Sequence, residues 1–233
     1  MYLITNRKLL CNEERYLEVI KESILSGIKN IIIREKDLEY EELNKLYMKI
    51  KTKINCIDFQ EKILNKNLKI NINQKESINK LKVNFIVNSN IEFFEKTDCQ
   101  GIHLPFKVFL DLLENNYSFN KDKILGLSLH QIEEVEHLEN LMRNKNIRID
   151  YITLSHIYET KCKEGLHPKG IELLKEAKKI TDIKIVALGG ILPSNVKETL
   201  KYCDDFAIMS TIMKSKDIKK TISDYNEKIE LLK

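Results

Sequence analysis

Short apolar runs rich in β-branched residues alternate with longer amphipathic stretches along almost the whole chain. Most positions in each run are apolar, instead of every second one, which is typical of strands buried on both faces of a parallel sheet. The longer stretches repeat apolar residues at helical spacing. The pattern predicts strands at residues 2–5, 31–34, 83–88, 101–104, 124–129, 151–155, 184–188 and 206–210. It predicts helices at residues 13–26, 41–51, 131–144, 172–180 and 194–201.

Eight strands with a helix after nearly every one are the pattern of an α/β protein with a (β/α)8 TIM barrel. The length of 233 residues fits this fold, and no linker or internal repeat divides the chain. We therefore expect one TIM-barrel domain over residues 1–233. A doubly wound open sheet is the alternative, but it does not need eight evenly spaced strands.

Residues 52–82 interrupt the regular spacing between the second and third predicted strands. This segment is dense in Asn and Lys. We expect a tolerated surface insertion, because the entropy of loop closure grows slowly with loop length. A functional lid is the alternative, since loops of this length are often functional.

Composition narrows the class of protein. The chain has 39 Lys and Arg residues and 35 Asp and Glu residues. A net charge of +4 does not indicate the excess of basic residues that is typical of nucleic-acid-binding proteins. Hydrophobic residues make up 42% of the chain, which excludes a disordered chain, yet no apolar stretch approaches a membrane span. The five cysteines are far apart and form no CxxC pair, as in reduced proteins. With no signal-peptide layout, we expect a cytoplasmic protein without a nucleic-acid or membrane partner.

Barrel enzymes work at the carboxyl ends of their strands, so the residues that follow each predicted strand are the candidates. Arg34 and Lys36 follow the second strand and would suit a phosphate or carboxylate, although a solvated charge run is the alternative. Asn88 ends the third strand, before Ser89 and Asn90, which are expected to cap the next helix.

Two histidines lie near these strand ends. His103 alternates with apolar neighbours, and we expect it to pack in the core. Ser128 and His130 end the fifth strand, where an imidazole can move a proton near neutral pH; a capping or structural histidine is the alternative. The segment after the sixth strand, which includes Thr160 and Lys163, is rich in donors and is typical of an active-site loop or lid.

The last two strands carry the most specific pattern. Gly189 and Gly190 follow the seventh strand, and Ser210 and Thr211 end the eighth. Paired glycines let backbone N–H groups approach an anion, and TIM barrels commonly bind phosphate at these two loops. A plain tight turn is the alternative. The pattern predicts a small phosphorylated ligand.

Several motifs in order resemble the thiamine phosphate synthase/TenI family of barrels. They are Ile-Arg-Glu-Lys-Asp at 33–37, Gly-Ile-His-Leu at 101–104, Ala-Leu-Gly-Gly-Ile at 187–191 and Ala-Ile-Met-Ser at 207–210. The resemblance runs from residue 2 to about residue 215 and fails only in the insertion. It implies the same barrel fold and a role in thiamine biosynthesis.

Synthases of this family join a pyrimidine diphosphate to a thiazole phosphate and hold magnesium with two aspartates. At the corresponding positions this chain has Ser89 and Val108. Neither residue offers the anionic oxygen that a hard divalent cation needs. The resemblance therefore implies no cofactor, with magnesium expected only if the chain is a synthase.

The TenI branch is more similar. It shares the segment from His156 to Leu166, the Leu104-Pro105 pair and the Ser128-x-His130 pattern. TenI proteins are thiazole tautomerases, which aromatise a carboxythiazole phosphate without a metal. For this reaction we expect His130 as the acid/base, because its position at the mouth suits proton transfer. Position at the mouth also gives the expected substrate contacts, which are Gly189, Gly190, Ser210 and Thr211 for the phosphate, Arg34, Lys36 and Thr160 for the carboxylate, and Asn88, Ser128 and Lys163 elsewhere in the site.

Two other functions stay open from the sequence: a thiamine phosphate synthase with altered metal ligation, and a barrel without catalysis that binds a phosphorylated ligand as a regulator. The sequence also leaves a homo-oligomer open.

Overall fold

The computed structural model describes residues 1–67, 82–145, 147–160 and 165–230, without the side chains of residues 55–67. Eight parallel strands close into a barrel in sequence order, and β1 pairs with β8 through Tyr2 and Ala207. The predicted TIM barrel is confirmed. The strands are β1 (Tyr2–Ile4), β2 (Asn30–Ile33), β3 (Asn84–Asn88), β4 (Gly101–Pro105), β5 (Ile124–Leu129), β6 (Tyr151–Ser155), β7 (Ile185–Leu188) and β8 (Asp205–Ile208).

Helices follow the strands around the outside of the barrel. They are α1 (Glu13–Leu25), α2 (Tyr40–Asn67), α3 (Ile91–Lys96), α4 (Phe106–Glu114), α5 (Ile132–Asn144), α6 (Gly170–Ile180), α7 (Val196–Thr199), α8 (Ser210–Met213) and α9 (Ile218–Glu230), with a 3-10 turn at Arg7–Leu9. Within the described residues, no helix is both long enough and apolar enough to cross a membrane.

The strands are buried on both faces, as their continuous apolar character predicts. The outward residues of each strand pack against the helices in one large core. The inward residues form a second, smaller cluster inside the barrel, made of Tyr2, Ile4, Ile32, Ile86, Tyr151, Val186 and Ala207.

Local signals fix the starts of two helices, α1 and α3. The side chain of Asn12 accepts a hydrogen bond from the Arg15 amide at 2.8 Å and caps α1. Asn90 caps α3 in the same way through the Phe93 amide at 2.8 Å, as the sequence predicts. These caps satisfy amide groups that have no partner inside the helix.

The helix α2 is longer than predicted. The sequence pattern predicts a helix end near residue 51 and an insertion from residue 52, whereas the helix continues to Asn67. The physical reason is that residues 41–67 contain no Gly or Pro and many good helix formers, so nothing stops the helix. Residues 68–81 of the predicted insertion lie outside the described residues.

Paired polar side chains occupy the amino-terminal end of the barrel. Asn84 donates to Asn30 at 2.8 Å, and Lys184 contacts Asp205 at 3.0 Å. The amino terminus of Met1 also pairs with Asp205. These groups bind one another, whereas the residues predicted to bind a ligand lie at the opposite, carboxyl-terminal mouth.

Candidate active site at the carboxyl-terminal mouth

The charged segment after β2 divides into two parts. Arg34 lies two residues after the inward-facing Ile32 and is half-buried, so strand alternation directs it to the mouth. Glu35 is instead buried, and its carboxylate accepts from the Thr5 hydroxyl at 2.6 Å and the Arg7 amide at 2.9 Å. The alternative from the sequence, a run of charged residues that are all exposed to solvent, is therefore wrong for Arg34 and Glu35.

The same contacts hold the loop that carries Arg34. The hydroxyl of Thr5 accepts from the Arg34 amide at 3.1 Å and from the Tyr16 hydroxyl at 3.1 Å. Burial raises the pKa of Glu35, against the lowering effect of the hydrogen bonds that it accepts. Lys36 is exposed, and Asp37 pairs with Arg7 at 2.7 Å.

The end of β3 lies beside the end of β4, because Asn88 and His103 are register partners. Asn88 donates its side-chain amide to the Ser89 hydroxyl at 2.8 Å. Ser89 has a positive φ of 63°, and its amide donates to the His103 carbonyl at 3.0 Å. Asn88 thus lies at the predicted place, with its side chain oriented by a neighbour.

His103 packs in the barrel interior, as predicted. It is 4% exposed, and its ring stacks on that of Tyr151 with centroids 5.5 Å apart. Burial and, to a smaller extent, the Arg34 charge lower its pKa to about 3. Its Nδ1 atom, like the Tyr151 and Thr153 hydroxyls, is buried without a hydrogen-bond partner among the described residues.

His130 follows β5 and is exposed at the mouth. Its Nδ1 atom lies 3.0 Å from the Ser155 hydroxyl and 3.1 Å from the Ser155 carbonyl oxygen. Ser128 lies two residues earlier on β5, beside Pro105 of β4 and Thr153 of β6. The fold therefore brings together two predicted residues, Ser128 and His130, with one that the sequence analysis missed, Ser155.

A signal for Ser155 does exist in the sequence. Tyr151, Thr153 and Ser155 alternate with Ile152 and Leu154, so Ser155 is the last inward position of the strand. Its neighbour across the sheet depends on the register of β5 and β6, which pairs Leu129 with Leu154. The strand pattern alone does not give that register.

The segment after β6 packs on the loop after β7. The Ile157 amide donates to the Leu188 carbonyl at 3.0 Å, and the Tyr158 amide donates to the Gly189 carbonyl at 3.0 Å. Thr160 is half-buried at the end of this segment. Lys163, predicted to contact substrate, lies outside the described residues.

Gly189 and Gly190 have φ values of +98° and +67°, which favour glycine. Both also lie against the neighbouring loop: a Cβ at Gly189 would lie 2.4 Å from the His156 Cβ, and one at Gly190 would lie 2.4 Å from the Glu159 carbonyl oxygen. The glycine pair therefore has a packing role that the sequence analysis did not predict, beside the proposed phosphate contact.

The predicted phosphate loops are neighbours. Leu188 at the end of β7 pairs with Ala207 of β8, and Ser210 and Thr211 begin α8 one residue after the end of β8. The Asn195 side chain donates to the Gly190 carbonyl at 3.0 Å and accepts from the Leu192 amide at 2.8 Å, which orders the turn. The mouth thus combines a cationic side at Arg34, an imidazole at His130 and a glycine-rich side.

The sequence model of the family described as thiamine monophosphate synthase matches residues 50–212 of this chain. The chain belongs to this family. Thiamine-phosphate synthase from Clostridium tetani is 28% identical over 223 residues, which cover 94% of this chain and 90% of that protein. The protein of the same name from Methanobrevibacter smithii is 28% identical over 226 residues, with coverages of 94% and 90%.

Two solved structures of thiamine phosphate pyrophosphorylases are similar in fold. The protein from Pyrococcus furiosus has a TM-score of 0.69 at 19% identity, covering 99% of this chain and 95% of that chain. The protein from Bacteroides thetaiotaomicron has a TM-score of 0.60 at 18% identity, covering 99% and 98%. At these identities the two structures support the fold alone.

Membership of the thiamine monophosphate synthase family confirms the resemblance and a place in thiamine biosynthesis. The relatives named above are synthases, so they support the synthase alternative and give no specific support to the tautomerase interpretation.

The donor set at the family's two metal positions does not fit magnesium. Ser89 offers a neutral hydroxyl that already accepts from Asn88, and Val108 is an aliphatic residue of α4 packed against the core. Within the described part of the chain, no group of three or more His, Cys, Asp or Glu side chains could hold a metal ion. A hard divalent cation takes oxygen ligands, mostly carboxylates, which these two positions lack.

Proposed function

We propose that this protein is a thiazole tautomerase of thiamine biosynthesis, which aromatises a carboxythiazole phosphate by proton transfer. One observation carries the proposal: an imidazole, His130, stands at the mouth of a barrel whose two family metal positions are Ser89 and Val108. Proton transfer within one substrate needs an acid/base group and no metal.

The reaction is an isomerisation, so its atoms balance within the substrate. His130 takes the proton from C2 of the dihydrothiazole, and the electrons of that C–H bond form the double bond between C2 and N3. The ring double bond then moves from N3=C4 to C4=C5. The exocyclic double bond on C5 opens at the same time, and its electrons form a C–H bond with the proton that the imidazolium returns, so the ring becomes aromatic.

The remaining mouth residues would bind the two anionic ends of this substrate. Arg34 would bind the carboxylate, because a guanidinium forms two parallel hydrogen bonds to it. Lys36 of the same segment and Thr160 of the segment after β6 would be further contacts. The phosphate would lie at Gly189, Gly190, Ser210 and Thr211. Asn88, Ser128 and Lys163 complete the proposed contacts, and the protein would act in the cytoplasm.

The second candidate function is thiamine phosphate synthesis, with release of pyrophosphate. It is favoured by the full-length similarity to proteins named thiamine-phosphate synthase. This reaction develops charge on a leaving pyrophosphate, which cationic side chains or a metal stabilise. In this reaction Arg34 and Lys36 would stabilise that charge, so their presence fits both candidate functions.

The experiment offers the purified protein both substrate sets in separate assays. The first contains the non-aromatic thiazole tautomer and EDTA, and follows the absorbance of the aromatic ring. The second contains the pyrimidine diphosphate, the thiazole phosphate and magnesium, and follows pyrophosphate. Turnover only in the first supports the tautomerase, and turnover only in the second supports the synthase. A ligand that raises the melting temperature without turnover in either assay would support a non-catalytic binding protein.

A further inference from the structure

Ser155 is the last residue of β6 and closes the inward-facing row at the mouth. Ser155 is only 4% exposed, although the neighbouring His130 is exposed. The register of β5 and β6 pairs Leu129 with Leu154, so the residues that follow them, His130 and Ser155, lie side by side. The sheet register therefore places the two residues next to each other, and their contact is made by the His130 ring.

Two oxygens of Ser155 meet one nitrogen of His130. The hydroxyl oxygen lies 3.0 Å from Nδ1 and the carbonyl oxygen lies 3.1 Å from it. A carbonyl has no proton to donate, so an unprotonated Nδ1 would face its lone pairs at hydrogen-bond distance. A protonated Nδ1 donates to the carbonyl and is within reach of the hydroxyl oxygen too.

We propose that Ser155 is the positioning residue of His130: it holds Nδ1–H and leaves Nε2 as the basic nitrogen. The two ring nitrogens lie on opposite sides of the imidazole, so fixing Nδ1 against β6 turns Nε2 away from the strand. The same contacts persist when Nε2 accepts a proton, because Nδ1–H is present in the imidazolium as well. The catalytic part of this inference rests on the proposed tautomerase function.

The test compares Ser155→Ala with Ser155→Thr, which restores the hydroxyl. Ser23→Ala is the matched control, because Ser23 is a fully buried serine whose hydroxyl donates to the Val19 carbonyl at 2.7 Å in α1. Circular dichroism and the melting temperature of each variant show that it is folded. If Ser155→Ala does not fold, Ser155→Gly and Ser155→Cys are measured instead.

The first readout needs no substrate. Nitrogen NMR of the 15N-histidine-labelled protein reports which ring nitrogen carries the proton, and His130→Ala assigns the signal. We expect the Nδ1–H form in the wild type and in Ser155→Ala, because the backbone carbonyl remains, but with a displaced Nδ1 chemical shift in Ser155→Ala, which loses the hydroxyl. An Nε2–H form in the wild type, or an unchanged Nδ1 shift in Ser155→Ala, would overturn the assignment of Ser155.

The second readout is turnover of the thiazole tautomer. We expect kcat to fall roughly three- to tenfold in Ser155→Ala, the effect of one lost hydrogen bond, with KM within about twofold. Ser155→Thr should recover most of kcat, and Ser23→Ala should match the wild type. An unchanged kcat in Ser155→Ala would overturn the positioning role. If the wild type itself shows no turnover, the proposed function fails while the NMR result still decides the contact.

Discussion

The imidazole of His103 is stacked on the phenol ring of Tyr151 inside the barrel, with centroids 5.5 Å apart and 12° between the ring planes. The strand between them carries Gly126, where a Cβ would lie 2.2 Å from the Tyr151 ring. The glycine therefore provides the space that the stacked pair occupies. The stack forms part of the floor beneath the mouth and keeps His103 away from water.

The stack predicts a pH dependence of stability. Burial lowers the pKa of His103 from its ordinary 6.5 to about 3. Because the folded pKa lies below the unfolded one, the stabilising contribution of neutral His103 is complete above pH 6.5 and is lost as the pH falls toward about 3. His103→Gln cannot titrate, so its free energy of unfolding should fall less between pH 7 and pH 5 than that of the wild type.

Urea unfolding at the two pH values measures this difference. At pH 7 we expect His103→Gln to be less stable by about 1 kcal/mol, because the ring stack is lost. His137→Gln, a change at an exposed histidine of α5, is the control and should keep the wild-type pH dependence. Equal losses of stability in the wild type and His103→Gln would show that His103 is not held neutral by the fold.

The buried carboxylate of Glu35 gives the second prediction. Glu35→Gln replaces one acceptor oxygen by an NH2 group, which would face the Thr5 hydroxyl or the Arg7 amide. We expect a loss of about 1–3 kcal/mol in the free energy of unfolding, the cost of an unsatisfied buried group. Asp37→Asn, in an exposed ion pair, should cost much less. Chemical denaturation of both variants checks the contrast.

The two glycines Gly27 and Gly189 provide a third, matched prediction. Their φ values are +99° and +98°, but a Cβ at Gly27 has no neighbour within 4 Å, whereas one at Gly189 lies 2.4 Å from the His156 Cβ. Gly27→Ala should therefore cost about 1–2 kcal/mol for the backbone conformation alone. Gly189→Ala should cost about 1–3 kcal/mol more, because the loop after β6 must move. Equal unfolding free energies would contradict the packing role of Gly189.

Arg34 is expected to discriminate between carboxylated and decarboxylated ligands. Arg34→Gln should weaken binding of the carboxythiazole phosphate by about tenfold or more, the value of a charge-assisted hydrogen bond, with a smaller effect on the thiazole phosphate that lacks the carboxylate. Calorimetric titration with both ligands measures this difference. Arg143→Gln, on the exposed side of α5, is the control. Equal weakening for both ligands would place the carboxylate elsewhere.

The strand pattern predicts the barrel because each strand has its own apolar run, and β5 and β6 agree with the prediction residue for residue. The last strand is less well predicted: residues 206–210 are expected as strand, but Ser210 begins α8. Only Met209 separates the strand from the short helix, and no Gly or Pro marks the boundary in the sequence.

The candidate site could be predicted only in part. His130, Arg34 and the glycine pair follow from their positions after strands, since parallel strands end at one mouth. Glu35 looks like its charged neighbours in the sequence, although alternation along the strand buries it. The contact of Ser155 with His130 depends on register, and the packing of Gly189 on His156 depends on a loop conformation. Both are long-range properties that a single strand does not encode.

His130 is proposed to move a proton in a reaction that needs no divalent metal. The most direct measurement is the rate of aromatisation of the non-aromatic carboxythiazole phosphate in EDTA, followed by absorbance for the wild type and His130→Ala. We predict acceleration by the wild type that EDTA does not diminish, and a loss of at least about 100-fold in kcat for His130→Ala. No acceleration by the wild type, or full activity in His130→Ala, would contradict it.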